Sequence, residues 1–457
     1  MSDLTNYNPS QREAVTFGEG PLLVLAGPGS GKTFTITQRI LYLIHEKQIP
    51  PQKLLVITFT REAAVSMRQR FLQISPQHTT VNFGTFHSCF YQILLRSGRV
   101  SPGNILNEKQ KKELIYPVLK KIKAHNALSA TDLPELAKNL LTAIGYYKNT
   151  GDLQSSMDRL PEEWKNDFAQ VYSGYEEARK RIRGLDFDDM LKECEELLQK
   201  DDALRAYWQN LFSYILIDEF QDINYRQYCI VRLLAQKHKN VFAVGDDDQA
   251  IYGFRGAKPA CMKQFVQEFG AKQIILSTNY RSHQDIVEAS LAVIAENSDR
   301  FPKNLEPCEA NRRHLGKMDK KNYHVRIREF SGAKEQLQFL MRQLKNRTEG
   351  ESYGILFRTN LAMQSVAASL TREGIPFSIK EHGKNIYDHF IVQDILAYLR
   401  IAQGTAARAD YLRVVNKPFR SISREAFGGD VSLQALEHYY ADLMRQTGAD
   451  YLRSAYD

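Results

Sequence analysis

A lysine, a threonine and two adjacent carboxylates set the chemistry open to this chain. Lys32 and Thr33 follow Ala26-Gly27-Pro28-Gly29-Ser30-Gly31, and Phe34 comes next. Glycines at that spacing let backbone N–H groups turn inward around phosphate oxygens, and a helix starting there adds its positive end. The lysine can reach the terminal phosphates of a nucleoside triphosphate, and the threonine hydroxyl can ligate magnesium. Far along the chain, Asp218 and Glu219 close the apolar run Tyr214-Ile215-Leu216-Ile217. Carboxylates delivered by a buried strand suit phosphoryl transfer: Asp218 to hold Mg²⁺, Glu219 to polarise the attacking water. Either signal alone has a bland reading, a glycine-rich turn or a chance acidic pair. Together they point to a nucleoside triphosphatase.

The elements that must position these groups are legible as apolar runs. Leu22–Leu25 reads as a buried strand and Phe34–Leu41 as the helix behind the phosphate loop. Lys53–Phe59 reads as a second strand running into a helix over Thr60–Arg70, so Phe59 and Thr60 offer an aromatic face and a hydroxyl at a strand end. Gly84-Thr85-Phe86-His87-Ser88 repeats that pattern, with Phe86 assigned to the core. Val241–Gly245 is a further strand, leading to a polar loop with Gln249, Tyr252, Phe254 and Arg255. Tyr252 and Phe254, two apart, share one face of an extended loop where bases could stack. Ile274-Ile275-Leu276 precedes Tyr280 and Arg281, an arginine able to stabilise charge on a phosphoryl group in transfer. Ahead of everything, Asn8 or Ser10 can cap a short helix, and the Gln11 amide suits an adenine edge.

From Cys89 to Arg205 the pattern is helical: an all-helical insertion that splits the first α/β domain. Asn107 and Gln110 form a capping box, Thr131 or Asp132 caps another helix, and Pro134 falls in its first turn. Lys111, Lys112, Lys120, Lys121 and Lys123 make the region basic. Such a run is a solvated face or tracks a nucleic-acid backbone. The acidic stretch Asp186–Met190 follows no strand and is not read as a metal site.

Length and charge set the wider frame. The chain has 457 residues, enough for about three domains. Its net charge of +8 and pI near 9.0 fit an anionic partner such as nucleic acid. Five scattered cysteines with no C-x-x-C spacing read as reduced thiols of a cytoplasmic protein. The start Met-Ser-Asp-Leu-Thr-Asn carries no signal-peptide pattern, and no apolar run is long enough to span a membrane.

Taken in order, these stretches resemble superfamily 1 DNA helicases of the UvrD/Rep/PcrA type, over about residues 4–402. The resemblance implies an α/β fold of RecA-like P-loop NTPase parallel sheets with helical insertions. Domain 1A would take residues 1–88 and 206–280, and helical subdomain 1B residues 89–205. The first part of 2A would take 281–385, and the start of helical 2B 386–457. It implies ATP and Mg²⁺ between 1A and 2A, with single-stranded DNA and single/double-strand junctions as substrates for 3′→5′ translocation. By position, Gln11 resembles the adenine-reading glutamine. Lys32, Thr33, Asp218 and Glu219 resemble the phosphate, metal and catalytic groups. Gln249 resembles the glutamine linking γ-phosphate to DNA, Tyr280 the adenine-stacking aromatic, and Arg281 a γ-phosphate arginine. Phe59, Thr60, His87, Tyr252, Phe254 and Arg255 fall on DNA-contacting positions. So do Arg358 and Asn360, which follow an expected 2A strand at Gly354–Phe357.

Three departures stand out. Phe254 stands where many relatives have Trp, and Phe34, within the nucleotide-binding stretch, where many have Arg. No later motif supplying a second γ-phosphate arginine is found between Ile401 and Asp457, so the chain is expected to stop inside 2B. By itself it is then expected to bind ATP–Mg²⁺ but to hydrolyse it poorly. The alternative is a non-enzymatic DNA-binding or regulatory module with a helicase-like front half. The motor part of a recombination nuclease is a further rival, but no acidic nuclease segment is found. A generic P-loop NTPase leaves the aromatic and basic loop residues unexplained.

Overall fold

Strands buried at every position must be covered on both faces, a requirement met in parallel α/β sheets. In the computed structural model Leu22–Ala26 (β1), Leu54–Thr58 (β2), Tyr214–Ile217 (β4) and Val241–Gly245 (β5) are fully buried. Asn82–Thr85 (β3) and Lys272–Leu276 (β6) close the two edges. The order is β3-β2-β4-β5-β1-β6, parallel throughout. Alternate side chains go to opposite faces. Leu23, Leu25, Leu55, Ile57, Ile215 and Ile217 join one core cluster, while Leu22, Val24, Leu54, Val56, Leu216 and Val244 join the other. The expected strand positions agree with these bounds to within about two residues.

The structure describes residues 7–122, 133–253, 256–312, 325–348, 350–379, 387, 390–418, 422 and 433–447. Two compact units divide the chain, Met1–Arg326 and Ile327–Asp457. The first holds the six-stranded sheet and the helices inserted between β3 and β4. These helices have a core of their own around Leu140, Ile144, Trp164, Phe168 and Tyr175. Asn107 and Gln110 exchange the expected capping bonds, both at 2.9 Å, whereas Thr131, Asp132 and Lys123 lie outside the described residues.

This first unit continues past residue 281, where 2A is expected to begin. Thr278–Asn279 pairs with Glu306–Pro307, and Lys303 is buried to 3% exposure against the loop after β5. Those contacts hold the described residues 281–312 to the first unit.

The second unit is helical among the described residues, with helices such as Ala333–Lys345, Asn360–Arg372 and Phe390–Ala402. The strand expected at Gly354–Phe357 is not formed, and Leu356 is 99% exposed. No partner strand lies beside it among the described residues, and an unpaired strand leaves its backbone groups to water. Ile355 instead packs on a small cluster of Met341, Leu344 and Leu370. All five cysteines are free thiols, and no helix among the described residues is long and apolar enough to cross a membrane.

Candidate nucleotide site and nucleic-acid groove

Ligands of open parallel sheets bind beyond the carboxyl ends of the strands. Here every strand delivers a candidate residue there. β1 leads into the glycine loop, which is shaped by two left-handed residues, Gly29 at φ 71° and Gly31 at φ 88°. Gly31 caps the helix Lys32–His45, so Lys32 and Thr33 sit in its first turn among unsatisfied N–H groups. Ser30 Oγ donates to Gly27 O at 2.8 Å, tightening the turn.

The loop is gripped from outside by the segment after β6. Asn279 Nδ2 donates to Pro28 O at 2.8 Å, and the Tyr280 N–H donates to Gly29 O at 2.9 Å. Side chains come so close that a Cβ on Gly29 would lie 2.7 Å from Asn279 Oδ1 and 2.8 Å from Arg281 Cβ. Tyr280 and Arg281 are therefore held against the phosphate loop, with Tyr280 45% exposed. The Tyr280 hydroxyl accepts from Asn8 Nδ2 at 2.8 Å. Gln11 lies beneath the loop, where its Nε2 donates to Ser30 O at 3.1 Å and its Oε1 accepts from the Asn8 N–H. Asn8 caps the first helix, as expected. Phe34, exposed, packs on Tyr7 at 5.5 Å and brings no polar atom to the loop.

The carboxylates meet the lysine. The Asp218 N–H donates to Ile57 O at 2.9 Å, prolonging the sheet, and Lys32 Nζ donates to Glu219 Oε2 at 3.1 Å. Glu219 has φ 52° and ψ 48°, a left-handed backbone that costs a non-glycine residue about 1–3 kcal/mol. Strain of this kind gathers where a side chain has to be aimed. Burial and the neighbouring Glu219 push the Asp218 carboxyl up to about 6 despite Lys32, and Asp222 up to about 6 for the same reasons. Three carboxylates facing one ammonium leave negative charge to spare. Carboxylate and hydroxyl oxygens are the donors Mg²⁺ takes, and Thr33 follows Lys32, which meets Glu219, in the first turn of the helix.

The loop after β5 carries a buried network that the sequence reading missed. Lys303 Nζ lies 2.6 Å from Asp246 Oδ1 and 3.0 Å from Asp248 Oδ2, and also contacts Asp247. Arg300 adds a two-pronged pair to Asp248 at 2.8 and 2.6 Å. These cations fill the acidic cluster, which is an ion-pair knot and not a metal site. Gln249 Nε2 donates to Asp246 Oδ2 at 2.5 Å, so Gln249 is tethered to the knot.

The DNA-directed candidates of the first unit converge. Phe59, Thr60 and His87 line one groove of about 1,000 Å³ between the sheet loops and the inserted helices. Lys111, Lys138, Tyr146 and Phe187 line its other side. Tyr252 stacks on Phe59 with centroids 4.8 Å apart. His87 meets Phe187 edge-on at 5.4 Å, and burial lowers its pKa, disfavouring the charged ring. Thr60 caps the helix Arg61–Ile74, a structural use of its hydroxyl. Phe86, 2% exposed, belongs to the core as expected. Phe254 and Arg255 lie outside the described residues. Arg358 and Asn360 are exposed in the second unit, where Thr359 caps the helix that Asn360 begins.

Comparison with known proteins gives this arrangement a family. The UvrD/REP helicase N-terminal domain matches residues 7–270, and the UvrD-like helicase C-terminal domain matches residues 274–447. The ATP-dependent DNA helicase PcrA of Staphylococcus aureus is 34% identical over 447 residues, covering 96% of this chain and 59% of that protein. The one from Staphylococcus epidermidis is 35% identical over 445 residues, covering 95% and 58%. The chain thus spans under two thirds of the length of these relatives. With both family domains matched in sequence order over a glycine loop, a carboxylate pair and an aromatic groove on one sheet, the chain belongs to the UvrD/REP helicase family.

Proposed function

We propose that the chain binds ATP with Mg²⁺ and couples its hydrolysis to 3′→5′ movement along single-stranded DNA. Strands would then part at single/double-strand junctions, in DNA repair or replication. What supports this reading is the loop after β5: Gln249 is bonded to Asp246, and Tyr252, three residues on, packs against Phe59, which lines the groove.

In this reading Lys32 exchanges Glu219 for the terminal phosphates, and Thr33 and Asp218 would hold the metal, which would supply positive charge against the developing phosphate charge. Glu219 then accepts a proton from the attacking water, and Arg281 and Gln249 meet the γ-phosphate. Tyr280 offers its exposed face to adenine. Gln11 uses one N–H on Ser30 O and one oxygen lone pair on the Asn8 N–H, which leaves a second donor and a second lone pair for the base edge. Free thiols throughout suit a reducing compartment such as the cytoplasm.

Phe59→Ala tests the groove. Loss of one stacking face should weaken oligo-dT binding by about 1–3 kcal/mol per base displaced. The salt dependence should stay unchanged, because stacking releases no counterions. Fluorescence polarisation at several salt concentrations reads both, and a changed slope at constant affinity would count against stacking.

A further inference from the structure

Glu219 and the loop after β5 are joined by one side chain that the proposed mechanism does not use. Gln221 is 1% exposed. Its Nε2 donates to Glu219 Oε2 at 2.9 Å and, at 3.3 Å, to Asp222 Oδ2. Its Oε1 accepts from the Asp246 N–H at 2.9 Å. The space is reserved for it: a Cβ on Gly245 would lie 2.8 Å from Gln221 Oε1 and 3.2 Å from the Gln221 and Phe220 nitrogens. Asp246 in turn accepts from Gln249 and from the buried Lys303.

We propose that Gln221 is the positioning residue through which nucleotide occupancy reaches the DNA groove, a statement that rests on the function proposed above. In the structure Glu219 Oε2 accepts from both Lys32 and Gln221. When phosphates draw Lys32 away, Gln221 is left as the donor that fixes the carboxylate. Any turn of Glu219 then pulls on the amide whose other end holds the Asp246 backbone. Asp246 is not free to absorb the pull, since Lys303 clamps its carboxylate. Movement is passed instead along the loop to Gln249 and on to Tyr252. An amide is needed because the two ends require opposite roles, a donor toward Glu219 and an acceptor toward Asp246.

The test is a linkage measurement, independent of turnover. Affinity for fluorescein-labelled oligo-dT is measured with and without Mg²⁺ and the non-hydrolysable analogue AMP-PNP, and AMP-PNP affinity with and without oligo-dT. Wild type should show the same factor both ways, about fivefold or more. In Gln221→Met that factor should fall to one while each ligand alone binds as in wild type. A merely structural role would weaken both ligands and leave the factor in place. Should Gln221→Met fail to fold, Gln221→Asn keeps the amide but is one methylene too short to reach Glu219 and Asp246 at once, and the same loss is expected. Coupling retained in the variant, or absent from a wild type that binds both ligands, overturns the proposal. A wild type that binds neither ligand overturns the function reading itself.

Discussion

Lys32→Ala is expected to lower ATP turnover by about 10²–10³-fold, the usual cost of removing one preorganised positive group from a developing charge. Nucleotide affinity should fall with it, because Lys32 is the cation placed among Asp218, Glu219 and Asp222. Affinity for oligo-dT should be nearly unchanged, since the groove at Phe59 and His87 does not include this side chain. The fold should survive: Lys32 and Glu219 are 13% and 37% exposed, so water can screen the orphaned carboxylate. Binding of a fluorescent ATP analogue and of oligo-dT to the same preparation separates the two effects. ATP affinity intact in the variant would refute the phosphate-loop assignment.

Lys148→Met should be the most damaging change to stability. Lys148 is 2% exposed, and its Nζ lies 2.7 Å from Glu176, 2.9 Å from Asp186 and 2.7 Å from Asp189. Arg179 bridges Glu176 and Asp189, each at 2.9 Å, but makes no ion pair with Asp186. Removing one partner of a buried pair leaves a charge in a site that cannot solvate it, at a cost of about 3–5 kcal/mol. The effect should reach the groove, because the Lys148 carbonyl accepts from Arg226 Nε at 2.6 Å and the next residue, Asn149, lines the groove. Urea unfolding followed through Trp164, buried in the core of the inserted helices, reads the loss. The pH dependence has a definite sign. Burial opposes ionisation of both Asp186 and Asp189. Lys148 and hydrogen bonds from Asp189 hold the Asp186 carboxyl down while Asp186 holds that of Asp189 up, so Asp186 is the charged partner that Lys148 stabilises. A depressed carboxyl stabilises the fold above its ordinary range and loses that contribution as pH falls. The gap between wild type and variant should therefore narrow toward pH 2. A variant within about 1 kcal/mol of wild type would mean that the cluster behaves like a surface pair.

The parts of the site that could be read in advance are those where one short segment carries both the apolar run and the chemistry. Leu22–Thr33 and Tyr214–Glu219 are of this kind: the run makes the strand, and its end makes the site. The helical insertion was equally legible from its caps and periodicity. What stayed hidden depends on partners far apart in sequence. Asn279 grips Pro28 across 251 positions, and Lys303 reaches Asp246 across 57. The triple aspartate at 246–248 signals a buried cation, but nothing local says which lysine answers it. Gln221 carries no signal in the sequence, because its meaning lies in what stands at its two ends. Gly354–Phe357 misled in the opposite way: its residue types suit a strand, yet a strand exists only beside another.

The most direct test of the account is ATP turnover by this chain as single-stranded oligo-dT is titrated in, with blunt duplex of equal length in parallel. The proposed coupling predicts a low basal rate that rises several-fold and saturates with oligo-dT, responds weakly to duplex and vanishes in Lys32→Ala. A rate indifferent to single strands, from protein that binds both ATP and DNA, would contradict it and leave a binding module in place of a motor.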